Sequence, residues 1–170
     1  MRPHSIVIDA DASPSGYVAW YNHYSDASKI RIVRPATKNE RFGVQRMEML
    51  AVYFALADNL IDIKKAARQS RSRRVLIAVR SDSKSTVDQL LGISAIRDSL
   101  MRRISLVIGK LLAKIRCTIT FDHLQRSRNI AGLMIEQKRR KEREAELMIP
   151  RRVELPVASG ILQLQQALCA

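Results

Sequence analysis

Three acidic side chains occur at positions where a carboxylate could do chemistry. Asp9 interrupts a β-branched run, Glu48 lies one turn into an amphipathic segment, and Asp82 ends the most apolar run of the chain. A carboxylate placed against a core is costly unless a charge or hydrogen bonds compensate it. One shared divalent cation would compensate all three, and Mg²⁺ prefers hard carboxylate oxygens. The pattern therefore predicts a Mg²⁺ site, with Mn²⁺ as an alternative ion.

Each of these residues also has an ordinary structural explanation when it is taken alone. Asp9 could form a turn, Glu48 could lie on a solvated helix face, and Asp82 could cap a helix. The metal hypothesis depends on the three together, because one ion would explain all of them. Other chemistries are excluded: among 3 His and 2 Cys there is no cluster at zinc-ligand spacing and no Ser-His-Asp or Cys-His arrangement.

The elements that must position these carboxylates follow from the spacing of apolar residues. Short apolar or alternating runs predict strands over residues 5–10, 17–23, 29–34, 75–80 and 117–121. Apolar residues three and four apart predict helices over residues 44–68, 83–91, 96–115 and 129–148. The predicted order is βββ-α-β-αα-β-α, which is typical of an α/β fold.

The length of the chain predicts one domain with a tail. The 170 residues suffice for a single core, and we expect a domain over residues 1–149. Pro150 stops the last predicted helix, and residues 150–170 form the tail. Apolar residues in the tail, at Ile161, Leu164 and Leu168, have the spacing of a short docking helix. A homodimer formed through this tail is therefore one hypothesis.

The charge of the chain predicts a polyanionic partner. Thirty Lys and Arg residues against 16 Asp and Glu residues give a net charge of +14, and the pI is about 10.6. Nucleic acid is the leading partner, and a generally cationic surface is the alternative. Seven basic residues and no acidic one occur between Lys64 and Arg80, which predicts a local positive field.

The location expected from the composition is the cytoplasm. No apolar run approaches the roughly 18 residues that a membrane span needs, so we expect no membrane partner. Two cysteines, Cys117 and Cys169, do not make a disulfide framework, and they fit a reducing compartment.

Four motifs in this order of elements resemble the ribonuclease H family, type 1. The motifs are IVIDADASPSGYVAW, GVQRMEMLAVYFAL, VRSDSKSTVDQL and FDHLQRSRNIAGLM. The most specific stretch runs from Arg46 to Met49 and is similar to the family's asparagine-arginine-methionine-glutamate-leucine motif. The resemblance implies a ribonuclease H-like α/β fold. Its five-stranded mixed sheet has three antiparallel strands followed by two parallel strands, with helices on both faces.

The resemblance also implies an activity and a set of metal ligands. Asp9, Glu48 and Asp82 match three of the family's four carboxylates, which hold two Mg²⁺ ions. In the family the first carboxylate bridges both ions, and the other two serve the ion beside the leaving oxygen. Two such ions, about 4 Å apart, stabilise the attacking water and the departing oxygen of an in-line displacement. The implied activity is endonucleolytic hydrolysis of the RNA strand of RNA/DNA hybrids.

The sequence departs from the family where the fourth aspartate is expected. The pattern H-x-P-R-x-x-N-x-x-A-D places Leu133 at that position, ten residues after His123. His123 then corresponds to the family's mobile histidine, which transfers a proton during product release. Asp122 and Glu136 are candidate stand-in ligands, although Asp122 could instead cap a loop and Glu136 could pair with Arg140. Weaker metal binding or lost catalysis is the implied consequence.

The resemblance implies substrate contacts as well. Gln45, which replaces the usual asparagine, is implied to bind the hybrid together with Arg46 and Asn129. Two alternative functions stay open. One is a catalytically impaired nucleic-acid-binding protein of the same fold, for which Leu133 argues. The other is a junction resolvase or integrase-like nuclease.

Overall fold

The computed structural model describes residues 5–35, 41–69, 75–115 and 117–148. Residues 150–170, where we predicted the tail, and Arg71, Arg73 and Arg74 of the basic segment lie outside the described residues. The chain divides into two compact units, Met1–Arg139 and Arg140–Ala170. The predicted domain boundary at residue 149 and the dimer through the tail therefore stay predictions.

A five-stranded mixed sheet forms the centre of the first unit. Its strands are β1 (Ser5–Ala12), β2 (Tyr17–Asn22), β3 (Ala27–Ile32), β4 (Val75–Ser81) and β5 (Cys117–His123). The strand order is β3-β2-β1-β4-β5. The pairs β3-β2 and β2-β1 are antiparallel, whereas β1-β4 and β4-β5 are parallel. This topology confirms the predicted fold class.

In the residues that the structure describes, five helices connect and cover these strands. They are α1 (Gly43–Asp58), α2 (Leu60–Gln69), α3 (Lys84–Leu90), α4 (Ser99–Ala113) and α5 (Ile130–Met148). A short 3₁₀ turn at Arg126–Arg128 precedes α5. In the described ranges no helix is both long and apolar enough to cross a membrane.

The alternation of side chains along β1 builds a core on one face of the sheet. Ile6, Ile8, Ala10 and Ala12 are buried there and pack with residues of α1, α2 and α4. A smaller cluster joins Ala19 of β2 to two residues of α5, Ala131 and Ile135. Because Ala19 alternates with the core residues Val18 and Trp20, this cluster lies on the opposite face. Helices therefore cover both faces, as predicted.

The prediction of a single long helix over residues 44–68 is wrong, because the helix is interrupted at Asn59. The Nδ2 of Asn59 donates to the backbone oxygen of Ala55 at 2.8 Å, and its Oδ1 accepts from Asn22 at 2.7 Å. A side chain that bonds to the backbone in this way competes with helical hydrogen bonds. Two helices, α1 and α2, result.

The strands differ from their predicted bounds by one or two residues: β2 ends one residue early, β4 ends one residue late, and β5 ends two residues late. β1 continues to Ala12, two residues beyond its predicted end, and so carries Asp11 inside the strand. β3 begins at Ala27 because the preceding turn is short, with Asp26 in the left-handed region at φ 56°.

The second unit is described only over the last part of α5, residues 140–148. There Arg140 pairs with Glu144 at 2.8 Å, four residues along the helix. Both side chains are exposed, so this pair adds little to stability.

Candidate active site

Three carboxylates from three separate elements meet at one edge of the sheet. Asp11 lies near the end of β1, Glu48 lies on α1, and Asp82 directly follows β4. Each offers a ligand oxygen, and these oxygens all lie within 4.8 Å of one another. Asp11 and Glu48 are buried, whereas Asp82 is half-buried. Because β1 and β4 are parallel, their carboxyl ends meet at the same edge, where ligands bind in open α/β sheets.

Glu48 and Asp82 therefore come together, but Asp11 takes the place that we predicted for Asp9. The Asp9 carboxylate is fully buried and has three other partners. It accepts from Arg80 Nε at 2.7 Å, from His23 Nε2 at 2.9 Å and from the backbone N–H of Ile130 at 3.2 Å. The charge of Asp9 is thus balanced by neighbouring side chains, and its predicted role as a metal ligand is corrected.

One signal in the sequence could have indicated Asp11. Residues two apart share a strand face, so Asp9 and Asp11 point the same way, and the one nearer the carboxyl end reaches the edge. Ending β1 at Ala10 in the prediction hid this signal. The balancing charge is visible only in the structure, where Arg80 lies directly opposite Asp9 on the parallel neighbour β4.

Burial and crowding raise the pKa of two of the clustered carboxylates. Burial, followed by the charges of Asp11 and Asp82, raises the pKa of Glu48 to about 9. Burial and the neighbouring Asp82 raise the pKa of Asp11 to about 7. The exposed Arg126 acts in the opposite direction and lowers the pKa of both carboxyls. The three carboxylates are therefore costly to ionise together without a cation.

The donor set fits a divalent metal ion. Glu48 Oε2 is buried and has no hydrogen-bond partner among the residues that the structure describes. A buried carboxylate oxygen without a partner is costly, and a hard cation would satisfy it. Asp11, Glu48 and Asp82 are the residues that would hold such an ion.

The start of α5 supports this group from the side. Asn129 is fully buried, and its Nδ2 donates to Asp82 Oδ1 at 3.1 Å and to the backbone oxygen of Ala10 at 3.2 Å. A buried side chain with these partners orients Asp82 and does not face a substrate, which corrects the predicted substrate contact of Asn129. Gly132 packs against Asp11: a Cβ at this position would lie 2.8 Å from Asp11 Oδ2.

The other two residues that we predicted to bind substrate lie on the first turn of α1. Gln45 is half-buried, and nothing in its surroundings tests the prediction. Arg46 forms a bidentate ion pair with Asp98, with Nη2 at 2.7 Å from Oδ2 and Nε at 3.0 Å from Oδ1. Asp98 is the N-cap of α4, so Arg46 ties α1 to α4.

The predicted proton-transfer residue and the stand-in ligands lie outside the carboxylate group. His123 is exposed at the end of β5, opposite Ser81 on β4. It therefore lies on the strand that neighbours β4, the strand that Asp82 follows. Asp122 and Glu136 are exposed, and neither joins the three clustered carboxylates in the described part of the chain. Leu133 is 46% exposed.

Comparison with solved structures places this architecture. The crystal structure of LC11-RNase H1 in complex with an RNA/DNA hybrid has a TM-score of 0.56 at 16% identity, covering 74% of this chain and 87% of that one. RNase H1 from the halophilic archaeon Halobacterium salinarum has a TM-score of 0.57 at 20% identity, covering 75% and 90%. The chain has a ribonuclease H-like fold.

A third structure with the ribonuclease H-like fold is similar over the same extent. It is the N-terminal RNase H domain of a Mycobacterium tuberculosis protein, solved as a fusion with maltose-binding protein, with a TM-score of 0.56 at 18% identity and coverage of 75% and 92%. Neither a protein-family profile nor a curated protein matches the sequence. At these identities the likeness concerns the ribonuclease H-like fold, and the chemistry has to be argued from the site itself.

Proposed function

We propose that the protein is a metal-dependent endonuclease that hydrolyses the RNA strand of RNA/DNA hybrids. One observation carries the proposal: Asp11, Glu48 and Asp82 converge within 4.8 Å at the carboxyl edge of a ribonuclease H-like sheet. The net charge of +14 supports a nucleic-acid partner. We expect the protein to act in the cytoplasm.

The residues at this site have different proposed roles. Asp11, Glu48 and Asp82 would hold Mg²⁺ or Mn²⁺, which when bound supplies Lewis-acid stabilisation of charge on the phosphate. Asn129 keeps Asp82 oriented through the 3.1 Å hydrogen bond to its Oδ1. Arg126 is exposed beside the group and supplies a positive charge that would attract the backbone phosphate.

Proton transfer is proposed for His123. Its imidazole is exposed at the end of β5, where solvent and product can reach it. An imidazole can both accept and donate a proton through its ring nitrogens. This role follows from the family pattern, and the replacement His123→Ala tests it: we expect slower turnover with little change in hybrid affinity.

The experiment that tests the proposal is a cleavage assay on matched substrates. Hybrid, double-stranded RNA and branched DNA of equal length are incubated with Mg²⁺ or Mn²⁺, with the RNA strand of the hybrid labelled. We expect cleavage of the hybrid RNA, and its loss in Glu48→Gln and Asp11→Asn. Cleavage of branched DNA instead would support the resolvase or integrase-like alternative. Hybrid cleavage that survives both substitutions would overturn the proposed site.

A second function is favoured by Leu133. The family pattern places a fourth carboxylate there, and among the described residues the acidic group holds three members. With one ligand fewer, the protein could bind hybrid without cutting it. Tight, salt-sensitive binding with no cleavage in either metal would establish this function. Leu133→Asp separates the cases further, because restored or increased cleavage identifies the missing ligand as the limiting factor.

A further inference from the structure

A second feature of the first unit is a basic cavity between α2 and the connection from α4 to β5. Its volume is about 390 Å³, and it is lined by Lys64, Ala67, Arg68, Lys114 and Ile115. The three cations are exposed, and Ile115 is buried beneath them. The cavity thus combines a positive rim with an apolar floor.

Local structure explains why these cations converge. Lys64 and Arg68 are four residues apart on α2, so they lie on one face of that helix. Lys114 is the C-cap of α4 and adds a third positive charge from another element. A neighbouring cavity of about 450 Å³ shares Lys64 and Arg68 and adds Lys65.

No carboxylate offsets this charge in the described ranges. None of the ion pairs found there involves Lys64, Arg68 or Lys114. Asp62 is the only acidic residue of α2, and it does not line either cavity. Several cations held close together without counter-charges attract a polyanion.

The cavity lies at the opposite end of the sheet from the acidic group. Ile115 comes two residues before β5, whose first residue pairs with the first residue of β4, whereas Asp82 follows the last residue of β4. The seven residues of β4 separate the two ends, a distance of about 23 Å at 3.3 Å per residue. The cavity is therefore a separate site.

We propose that Lys64, Arg68 and Lys114 form a second site that binds the backbone phosphates of a nucleic-acid strand. The inference rests on the proposed function for the class of partner, but it concerns other residues. The site holds charged side chains without an array of base-reading groups, so it adds affinity without sequence preference.

Lysine footprinting tests the inference directly. A complex with a hybrid of about 24 base pairs, formed with Ca²⁺ in place of Mg²⁺ so that the carboxylates are neutralised, is treated with an amine-reactive reagent, and modification is read by mass spectrometry. We expect protection of Lys64 and Lys114, with Lys29 on the far edge strand β3 as the unprotected control. Lys84, two residues after Asp82, reports separately on the acidic group. Protection of Lys84 alone would overturn the second site and leave the proposed function standing.

Other outcomes are equally informative. Protection of Lys64 and Lys114 without Lys84 would support the second site and count against the proposed function. Equal protection of Lys29 would indicate diffuse electrostatic association and overturn the inference. Pyrophosphate is the probe for a small ligand: if it protects Lys64 and Lys114 while the hybrid does not, the site takes free phosphates, and the nucleic-acid source is wrong.

Matched variants give an independent measurement. Lys64→Gln/Lys114→Gln and the control Lys29→Gln/Arg34→Gln remove the same charge. The logarithm of hybrid affinity is plotted against the logarithm of salt concentration. The slope of this plot should become shallower by about 1–2 units in the Lys64→Gln/Lys114→Gln variant, because each lost phosphate contact reduces the slope by about 0.9. The control pair should lose clearly less. Equal losses would contradict a defined site.

Discussion

At the scale of single residues, two aspartates on the same strand face have different environments. Asp9 is enclosed by Arg80, His23 and the N–H of Ile130, whereas Asp11 shares its surroundings with two further carboxylates. Asp9 thus has the environment of a structural ion pair and Asp11 that of a metal ligand. Their side chains are chemically identical, so the distinction comes from their neighbours alone.

This difference predicts that the two isosteric substitutions affect different properties: Asp11→Asn changes metal affinity, and Asp9→Asn changes stability. Asp11→Asn should lower Mn²⁺ affinity about tenfold or more, because even the loss of an outer partner of a metal ligand costs about 10–100-fold. Asp9→Asn should lower the free energy of unfolding by about 1–3 kcal/mol, because it removes the buried carboxylate charge that binds Arg80 Nε at 2.7 Å and His23 Nε2 at 2.9 Å. Calorimetric Mn²⁺ titration and urea unfolding measure the two quantities. The reverse ranking of Mn²⁺ affinities would contradict the assignment.

The pKa values of the acidic group predict how pH affects stability. Asp11 at about 7 and Glu48 at about 9 lie above their unfolded values of about 3.9 and 4.3. Between the unfolded and the folded pKa values, the folded protein binds more protons than the unfolded chain. The contribution of both groups to the free energy of unfolding is therefore full below the unfolded pKa values and is lost as pH rises toward 9. Divalent ions relieve this loss, so Mg²⁺ should raise Tm more at about pH 8.5 than at about pH 6. Equal shifts, or a larger shift in Glu48→Gln, would contradict this.

Gly132 offers a substitution that separates stability from metal binding. A Cβ there would lie 2.8 Å from Asp11 Oδ2, so Gly132→Ala should displace that carboxylate and weaken Mn²⁺ binding. Helix propensity alone would stabilise α5 by up to about 1 kcal/mol. Gly109→Ala on α4 is the matched control, since nothing lies within 4 Å of its Cβ. Calorimetry should show weaker Mn²⁺ binding only for Gly132→Ala; the same affinity in both variants would contradict the packing argument.

At the scale of elements, the N-terminus of α4 is tied to the helix that carries Glu48. Asp98 Oδ1 accepts from the Met101 N–H at 2.9 Å as the N-cap of α4, and both Asp98 oxygens accept from Arg46. Arg46 precedes Glu48 by two residues on α1. One carboxylate therefore caps one helix and fixes the position of another.

Removing this carboxylate should destabilise the fold in a pH-dependent way. The hydrogen bonds from Arg46 lower the pKa of Asp98 to about 2. The contribution of Asp98 to the free energy of unfolding is therefore present above its unfolded pKa of about 3.9 and is lost as pH falls toward 2. Asp98→Ala should lower the free energy of unfolding by about 1–3 kcal/mol near neutral pH. Urea unfolding should show a smaller difference from the wild type near pH 3; a constant difference would show that Asp98 is not ionised in this role.

Most elements could be predicted from the sequence, because strands and helices depend on local apolar spacing. Every strand and the fold class were confirmed, and Glu48 and Asp82 come together from elements far apart in the chain. The break at Asn59 could not be predicted, because it depends on a contact with Asn22 on another element. The exchange of Asp9 for Asp11 likewise depends on Arg80 from a neighbouring strand.

At the scale of the whole molecule, a strongly positive chain concentrates three carboxylates at one edge of its sheet. The net charge of +14 draws a polyanion toward the protein, whereas the local acidic group would repel phosphates. A divalent ion between the carboxylates would remove this conflict. The proposed phosphate site at the basic cavity, at the other end of the sheet, would add a second contact for the same class of partner.

The central claim is that Asp11, Glu48 and Asp82 hold a divalent ion. Anomalous diffraction from crystals soaked in Mn²⁺ tests it most directly, because it locates the ion without any assay of activity. We predict a peak within coordination distance of all three carboxylates, with Asp9 still bound to Arg80 and His23. A peak coordinated by Asp9, or none at the three carboxylates in crystals with Mn²⁺ bound elsewhere, would contradict the claim.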